Sequence, residues 1–112
     1  MDKKVCLDTD VCIELIKGNP ALKGFIQEFD KSAVFISSIT VFELFLRETN
    51  LSVVNDFIES FAVLLFDKQS ALGASSVFKQ LKKKGHLVDT RDLFIAAVCL
   101  ANGCTLATLN KK

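Results

Sequence analysis

The stretch Val5-Cys6-Leu7-Asp8-Thr9-Asp10 constrains the fold more than any other part of the chain. Three apolar residues run into a carboxylate, a hydroxyl and a second carboxylate, and an amphipathic segment, Val11 to Lys17, begins at once. A strand that is apolar on both faces belongs in a parallel sheet covered by helices on each side. Ligands of such sheets sit beyond the carboxyl ends of the strands, which is where Asp8 falls. The plainer reading makes Asp8 or Asp10 an N-cap of the following helix, a role Asp fills well. For Asp10 the capping role weighs as much as a chemical one.

The alternation continues along the chain. Pro20 is placed to open a second helix, since the first helical position needs no amide hydrogen, and Leu22, Phe25, Ile26 and Phe29 then give it one apolar face. Ala33-Val34-Phe35-Ile36-Ser37 reads as strand two. From Thr40 the period returns to helical, with Glu43 embedded among apolar residues in what reads as a first turn, where the helix dipole favours an acid. Thr40-x-x-Glu43 also has capping-box spacing, in which Glu43 would fold back onto the Thr40 amide. A helix at about Leu51 to Ser60 follows, and Ala62 to Phe66 reads as strand three, ending in Asp67. The next helix, Gln69 to Lys84, is closed by Gly85. Asp89 is a natural N-cap for a helix running to Ala101, with Asp92 on its first turn, and Cys104 to Thr108 reads as strand four. The pattern predicts an α/β fold, an open parallel sheet of four or five strands flanked by helices, with residues 1–112 as one domain.

Composition narrows the function. The longest apolar runs, such as Phe61 to Phe66, fall far short of the roughly 20 residues of a membrane span, and no signal-peptide pattern precedes the first strand; a cytoplasmic protein is expected. Cys6, Cys12, Cys99 and Cys104 lie among apolar neighbours with no Cys-x-x-Cys pair, and His86 is the single histidine, which argues against zinc and for reduced, buried thiols. The net charge of +1 forces no nucleic-acid partner. Locally, however, Lys79, Lys82, Lys83, Lys84, His86 and Arg91 concentrate positive charge that attracts phosphate, although lysines also favour a helix C-terminus for its dipole alone. Ten phenylalanines without Trp or Tyr describe a core rather than a base-stacking platform, with an exposed Phe on the Glu43 helix left for a partner contact.

Three acids thus fall in comparable places: Asp8 after strand one, Glu43 just after strand two, Asp92 before strand four. If strands one, two and four are neighbours, the three meet over one sheet edge. Converging carboxylates raise one another's pKa unless a cation joins them. Mg²⁺ or Mn²⁺ suits hard oxygen ligands and pairs with phosphate oxygens, so metal-assisted phosphodiester hydrolysis is the sharpest reading.

At this point the chain resembles a known family. Leu7-Asp8-Thr9-Asp10, Ile36 to Leu44, Asp92-Leu93-Phe94-Ile95-Ala96-Ala97 and Gly103 to Asn110 are similar, in order, to the successive motifs of PIN-domain proteins of the VapC toxin type. The resemblance implies a three-layer sandwich and a magnesium- or manganese-dependent endoribonuclease. It also implies a toxin that is usually a homodimer silenced by a small antitoxin protein. Carried over residue by residue, Asp8, Glu43 and Asp92 match the metal-binding acids and Thr108 the hydroxyl of the last motif. Asn110 falls near a fourth acid of many members. Asp10 stands where many have Asn, and with Asp89 it is a candidate to compensate for the neutral Asn110. Lys82, Lys83, Lys84 and Arg91 are the candidate RNA contacts. The resemblance further implies a short strand beyond Lys112.

Three other readings compete. Asp8-x-Asp10 is similar to the nucleophile motif of haloacid-dehalogenase-like phosphatases, with Asp8 attacking and Asp10 as general acid, but Glu43 is then unassigned. Asp67 with Asp8, Asp10 and Thr108 resembles the phospho-acceptor set of receiver domains, without the lysine that should follow. A non-catalytic module, whose acids are only caps, is the third.

Overall fold

The computed structural model of the protein describes residues 3–29 and 33–109. Among these, four strands, β1 (Lys4–Leu7), β2 (Ala33–Ser37), β3 (Ala62–Leu64) and β4 (Thr105–Ala107), form one sheet in the order β3-β2-β1-β4, and every pairing is parallel. Six helices connect them: α1 (Thr9–Ile16), α2 (Leu22–Gln27), α3 (Ser38–Leu44), α4 (Leu51–Glu59), α5 (Lys68–Lys83) and α6 (Thr90–Ala101). The apolar strand β1 is therefore central, between β2 and β4. Its register sets Val5 opposite Val34 and Thr105, and Cys6 opposite Phe35 and Leu106.

Alternation along the strands sorts the core into layers. Val5, Leu7, Ile36 and Ala107 face one side, where Val11 and Cys12 of α1, Leu44 of α3 and Val54 of α4 bury against them. Cys6 and Leu106 face the other and meet Ile95 and Cys99 of α6. Beyond that layer Ala74 of α5 packs against Leu93 and Ala97 of α6, the two alanines letting the helices approach. The result is the three-layer arrangement expected.

The element ends differ from the sequence expectations where a cap intervenes. The helix expected from Val11 begins at Thr9, because the Asp8 carboxylate accepts the Thr9 amide at 2.8 Å and so caps α1. The helix expected from Thr40 begins at Ser38, because Ser37 Oγ accepts the Thr40 amide at 3.1 Å. Pro20 does not open α2; Asn19 turns the chain there, its side chain accepting the Ala21 amide at 3.0 Å, and the helix starts at Leu22. Strand three is shorter than the apolar run that encodes it, and Val63 and Leu65 stay exposed, because β3 is the sheet edge and only β2 pairs with it. At the far end of α6, Gly103 adopts φ 65° and the Cys104 amide returns to the Cys99 carbonyl at 2.8 Å. This glycine-dependent stop turns the chain straight into β4. All four cysteines are free thiols, as expected. No helix among the described residues is long and apolar enough to cross a membrane.

Candidate active site

With β2, β1 and β4 adjacent, the chain leaves three neighbouring strands on the same edge, and the acids collect there. A cavity of about 290 Å³ is lined by Asp8, Thr9, Asp10, Glu43, Asp92 and Leu109. Asp8 stands at the end of β1 with its amide bonded to the Ala107 carbonyl of β4 at 2.8 Å. Its capping role and its place in the cavity coexist, since one carboxylate oxygen takes the Thr9 amide and a carboxylate has acceptor sites to spare.

Asp10 is not the cap. Its Oδ2 accepts both the Thr108 hydroxyl and the Leu109 amide at 3.2 Å, fastening the exit of β4 to the start of α1. Its Oδ1 is buried with no hydrogen-bond partner. A buried, unpartnered carboxylate oxygen is costly, and in this cavity it marks a place for a cation or a donor.

Glu43 corrects the expectation most. It lies in the last turn of α3, not the first, so the dipole works against its charge. It forms no capping box either, since Ser37 rather than Thr40 caps the helix. Instead Glu43 Oε1 accepts the Thr9 hydroxyl at 2.6 Å, and Oε2 lies 3.6 Å from Arg91 Nη1. Thr9 is also 3.0 Å from the Thr40 hydroxyl, which is 3.3 Å from that of Ser37. Each hydroxyl has one proton to give. With the Thr9 proton committed to Glu43, Thr40 must donate to Thr9, and Ser37 to Thr40. Buried Ser37 and Thr40 thus orient Thr9, and Thr9 orients Glu43. This relay escaped the sequence reading, which used Thr40 only as a cap; short side chains spaced across two segments leave no periodic signal.

Asp92 occupies the first turn of α6 as expected, and Asp89 caps that helix by accepting the Arg91 amide at 3.0 Å. Partial burial, then the charges of Asp89, Asp8, Glu43 and Asp10, hold the Asp92 carboxyl above its ordinary value of 3.8. The acids therefore feel one another. Asp89 acts on the site as a charge without lining the cavity, whereas Thr108 touches it through Asp10. Asn110 lies outside the described residues. Lys82, Lys83 and Lys84 end α5, and all three are exposed. Arg91 is set apart from them by its contact with Glu43.

The cavity fits a hard divalent cation in donor type, every side-chain donor being oxygen, in the orphaned Asp10 oxygen and in its surplus of negative charge. No group of three His, Cys, Asp or Glu side chains among the described residues is gathered closely enough to hold a metal ion as it stands. For Mg²⁺ that is no obstacle, because this ion is held by one or two carboxylates and keeps waters for the rest. The receiver-like arrangement, by contrast, fails on topology. Asp67 follows the edge strand β3, separated from β1 by β2, and its carboxylate is spent capping α5 through the Ser70 amide at 2.9 Å. That bond holds the Asp67 carboxyl below its usual value.

Comparison with known proteins agrees with this geometry. Ribonuclease VapC1 of Methanocaldococcus jannaschii is 31% identical over 112 residues, covering 99% of this chain and 79% of that protein. The tRNA(fMet)-specific endonuclease VapC of Salmonella typhimurium is 34% identical over 114 residues, covering 96% and 86%. Among solved structures, DNA-bound VapBC from Salmonella typhimurium superposes with a TM-score of 0.82 at 33% identity, covering 96% of this chain and 86% of that one. The PIN domain model matches residues 5–112, and with relatives of this identity along nearly the whole chain, the chain belongs to the PIN-domain family, among its VapC-type members.

Proposed function

We propose that this protein is the endoribonuclease toxin of a toxin–antitoxin pair, and that it hydrolyses RNA phosphodiester bonds with Mg²⁺ or Mn²⁺ held among Asp8, Glu43 and Asp92, by one or two of them directly and by the rest through water. The observation that carries the reading is the acidic cavity at the edge of three adjacent strands, lined by the three acids and Asp10. When bound, the cation supplies charge for a phosphoryl oxygen and lowers the pKa of a water. The chain does the rest. Asp8 is held by its own helix start, Glu43 by the relay from Ser37 through Thr40 and Thr9, and Asp10 clamps the β4 exit so that the cavity keeps its wall. A cation in the cavity would relieve the charge that its neighbours set against Asp92.

RNA reaches the site past the exposed Lys82, Lys83 and Lys84 and past Arg91, which contribute non-specific phosphate attraction. Phe42, Phe45 and Leu46 at the end of α3 are exposed, at 54%, 42% and 55%, as are Leu51 and Val53 of α4. Surfaces of this kind mark protein contacts, here the small antitoxin and the second subunit of a homodimer. The similar Salmonella structure is itself a VapBC assembly. The protein acts in the cytoplasm, where its thiols stay reduced.

The test is cleavage of total cellular RNA and of a defined tRNA by the purified protein, with Mg²⁺, with Mn²⁺ and with EDTA. Cleavage by the wild type that requires metal, and is lost in Glu43→Gln and Asp92→Asn proteins that fold normally, is the expected result. Cleavage retained by the folded Asp92→Asn protein would overturn the assignment. Metal-independent binding of RNA without cleavage would favour the non-catalytic alternative.

A further inference from the structure

We propose that Arg91 is a built-in competitor for the divalent cation at Glu43, a positioning residue that holds this carboxylate in the metal-free protein and sets the cation concentration at which the site loads. The inference rests on the metal-dependent reading above and extends it to a residue that is not itself a ligand.

Glu43 starts from an unfavourable position, because a carboxylate in the last turn of α3 is repelled by the helix dipole. Two contacts offset this. The Thr9 hydroxyl donates to Oε1 at 2.6 Å, and the Arg91 guanidinium lies 3.6 Å from Oε2. That separation is longer than a charge-assisted hydrogen bond of roughly 2.7–2.9 Å, so charge rather than a locked fork holds the pair. The Arg91 side chain is 49% exposed against 20% for Glu43. The guanidinium therefore approaches from the solvent side and can withdraw to it, while its backbone stays pinned by the Asp89 cap.

The compensation is also selective. Among the described residues Glu43 is in an ion pair, whereas Asp8, Asp10 and Asp92 are not. One of the four cavity carboxylates thus has a resident cation and the others share the surplus. A dication answers the whole cavity, but at Glu43 it meets an oxygen already paired, and its own charge repels the guanidinium. Binding of the metal and retention of the Arg91 contact are therefore antagonistic.

The decisive measurement is a Mn²⁺ titration followed by the electron paramagnetic resonance of the free ion, which needs no RNA and no turnover. Wild type, Arg91→Gln, Arg91→Lys and the charge control Lys84→Gln are compared, each checked for folding by thermal melting. The Kd for Mn²⁺ is expected to tighten roughly three- to fivefold in Arg91→Gln, the scale of a half-exposed ion pair, less in Arg91→Lys, and hardly at all in Lys84→Gln. An unchanged or weaker Kd in Arg91→Gln overturns the proposal and makes Arg91 a scaffold for Glu43. Equal tightening in Lys84→Gln overturns it in favour of net charge. If Arg91→Gln does not fold, Arg91→Met, which removes the charge and keeps the length of the side chain, decides, and a Kd no tighter than wild type overturns the proposal. A wild type that binds no Mn²⁺ overturns both this proposal and the metal reading, whereas binding without tightening overturns this proposal alone.

Discussion

Replacing Asp92 with Asn should stabilise the metal-free protein and destabilise it relative to wild type once Mn²⁺ is present, so that the order of melting temperatures reverses. The first half follows from the charges around Asp92. Partial burial and four neighbouring acids all raise its pKa, and no opposing influence, the α6 dipole included, outweighs them. A folded pKa above the unfolded one means that the native state binds the proton more tightly, so stability falls as pH rises from the ordinary 3.8 through the raised value. Above that window the ionised Asp92 is a standing cost. Because the side chain is exposed, solvent screening limits that cost to about 0.5 kcal/mol, which for a chain of this size is roughly 2 °C in Tm. Asn removes it, and the advantage should vanish below the ordinary carboxylate pKa, where wild type is protonated too. The second half follows from linkage: a ligand at 100 times its Kd adds about 2.7 kcal/mol to the folded state, or roughly 10 °C, and Asn forfeits most of this by losing a ligand. Differential scanning calorimetry at pH 7.5 and near pH 3, with and without millimolar Mn²⁺, reads both effects. A metal-free Asp92→Asn protein that melts below wild type at pH 7.5, or an identical Mn²⁺ shift in both proteins, would refute the reasoning.

Two further predictions concern the rest of the site. Replacing Lys82, Lys83 and Lys84 together with Gln should weaken RNA binding and lower the magnitude of its log–log salt slope by about two for single-stranded RNA; fluorescence anisotropy from 50 to 200 mM salt checks this, and an unaltered slope would place the phosphate contacts elsewhere. Asp10→Ala removes the acceptor shared by Thr108 and Leu109 and should cost about 1–2 kcal/mol of stability, seen as a lower urea midpoint, while Asp10→Asn, which keeps one acceptor oxygen, should cost less.

Much of this arrangement was legible in the residues because it rests on long-wavelength signals. An unbroken apolar β1 ending in Asp8 requires a parallel sheet and an acid at its edge, and the spacing of Asp89 and Asp92 around the start of α6 reads directly as a cap and a first-turn acid. Glu43 was found as a member of the site for a reason that did not hold. The helix was expected to start at Thr40, and the true cap, Ser37, is also the last residue of β2, so strand and helix share a boundary that periodicity cannot resolve. Shifting the start by two residues moved Glu43 from the favoured end of the dipole to the unfavoured one. Asp8 and Asp10 could not be told apart as the cap from sequence for a similar reason, since both have the right chemistry one residue either side of Thr9, and the role falls to Asp8. The contacts with Thr9 and Arg91 depend on side chains that meet across 34 and 48 positions of chain, and no local pattern announces them.

The central position of β1 has a consequence for the moment at which activity first exists. Val5 and Cys6 pair on one side with Val34 and Phe35 of β2, made early, and on the other with Thr105 and Leu106 of β4, made last among the described strands. A growing polypeptide that has emerged as far as Glu43 carries two of the three acids but neither Asp92 nor the strand that clamps Asp10. Since chains are synthesised at roughly 5–20 residues per second, several seconds separate the appearance of the first acid from completion of the cavity. With the site as proposed, unfinished translation products should be inert, so that the ribosome making this protein would not meet a partly assembled nuclease at its own exit port.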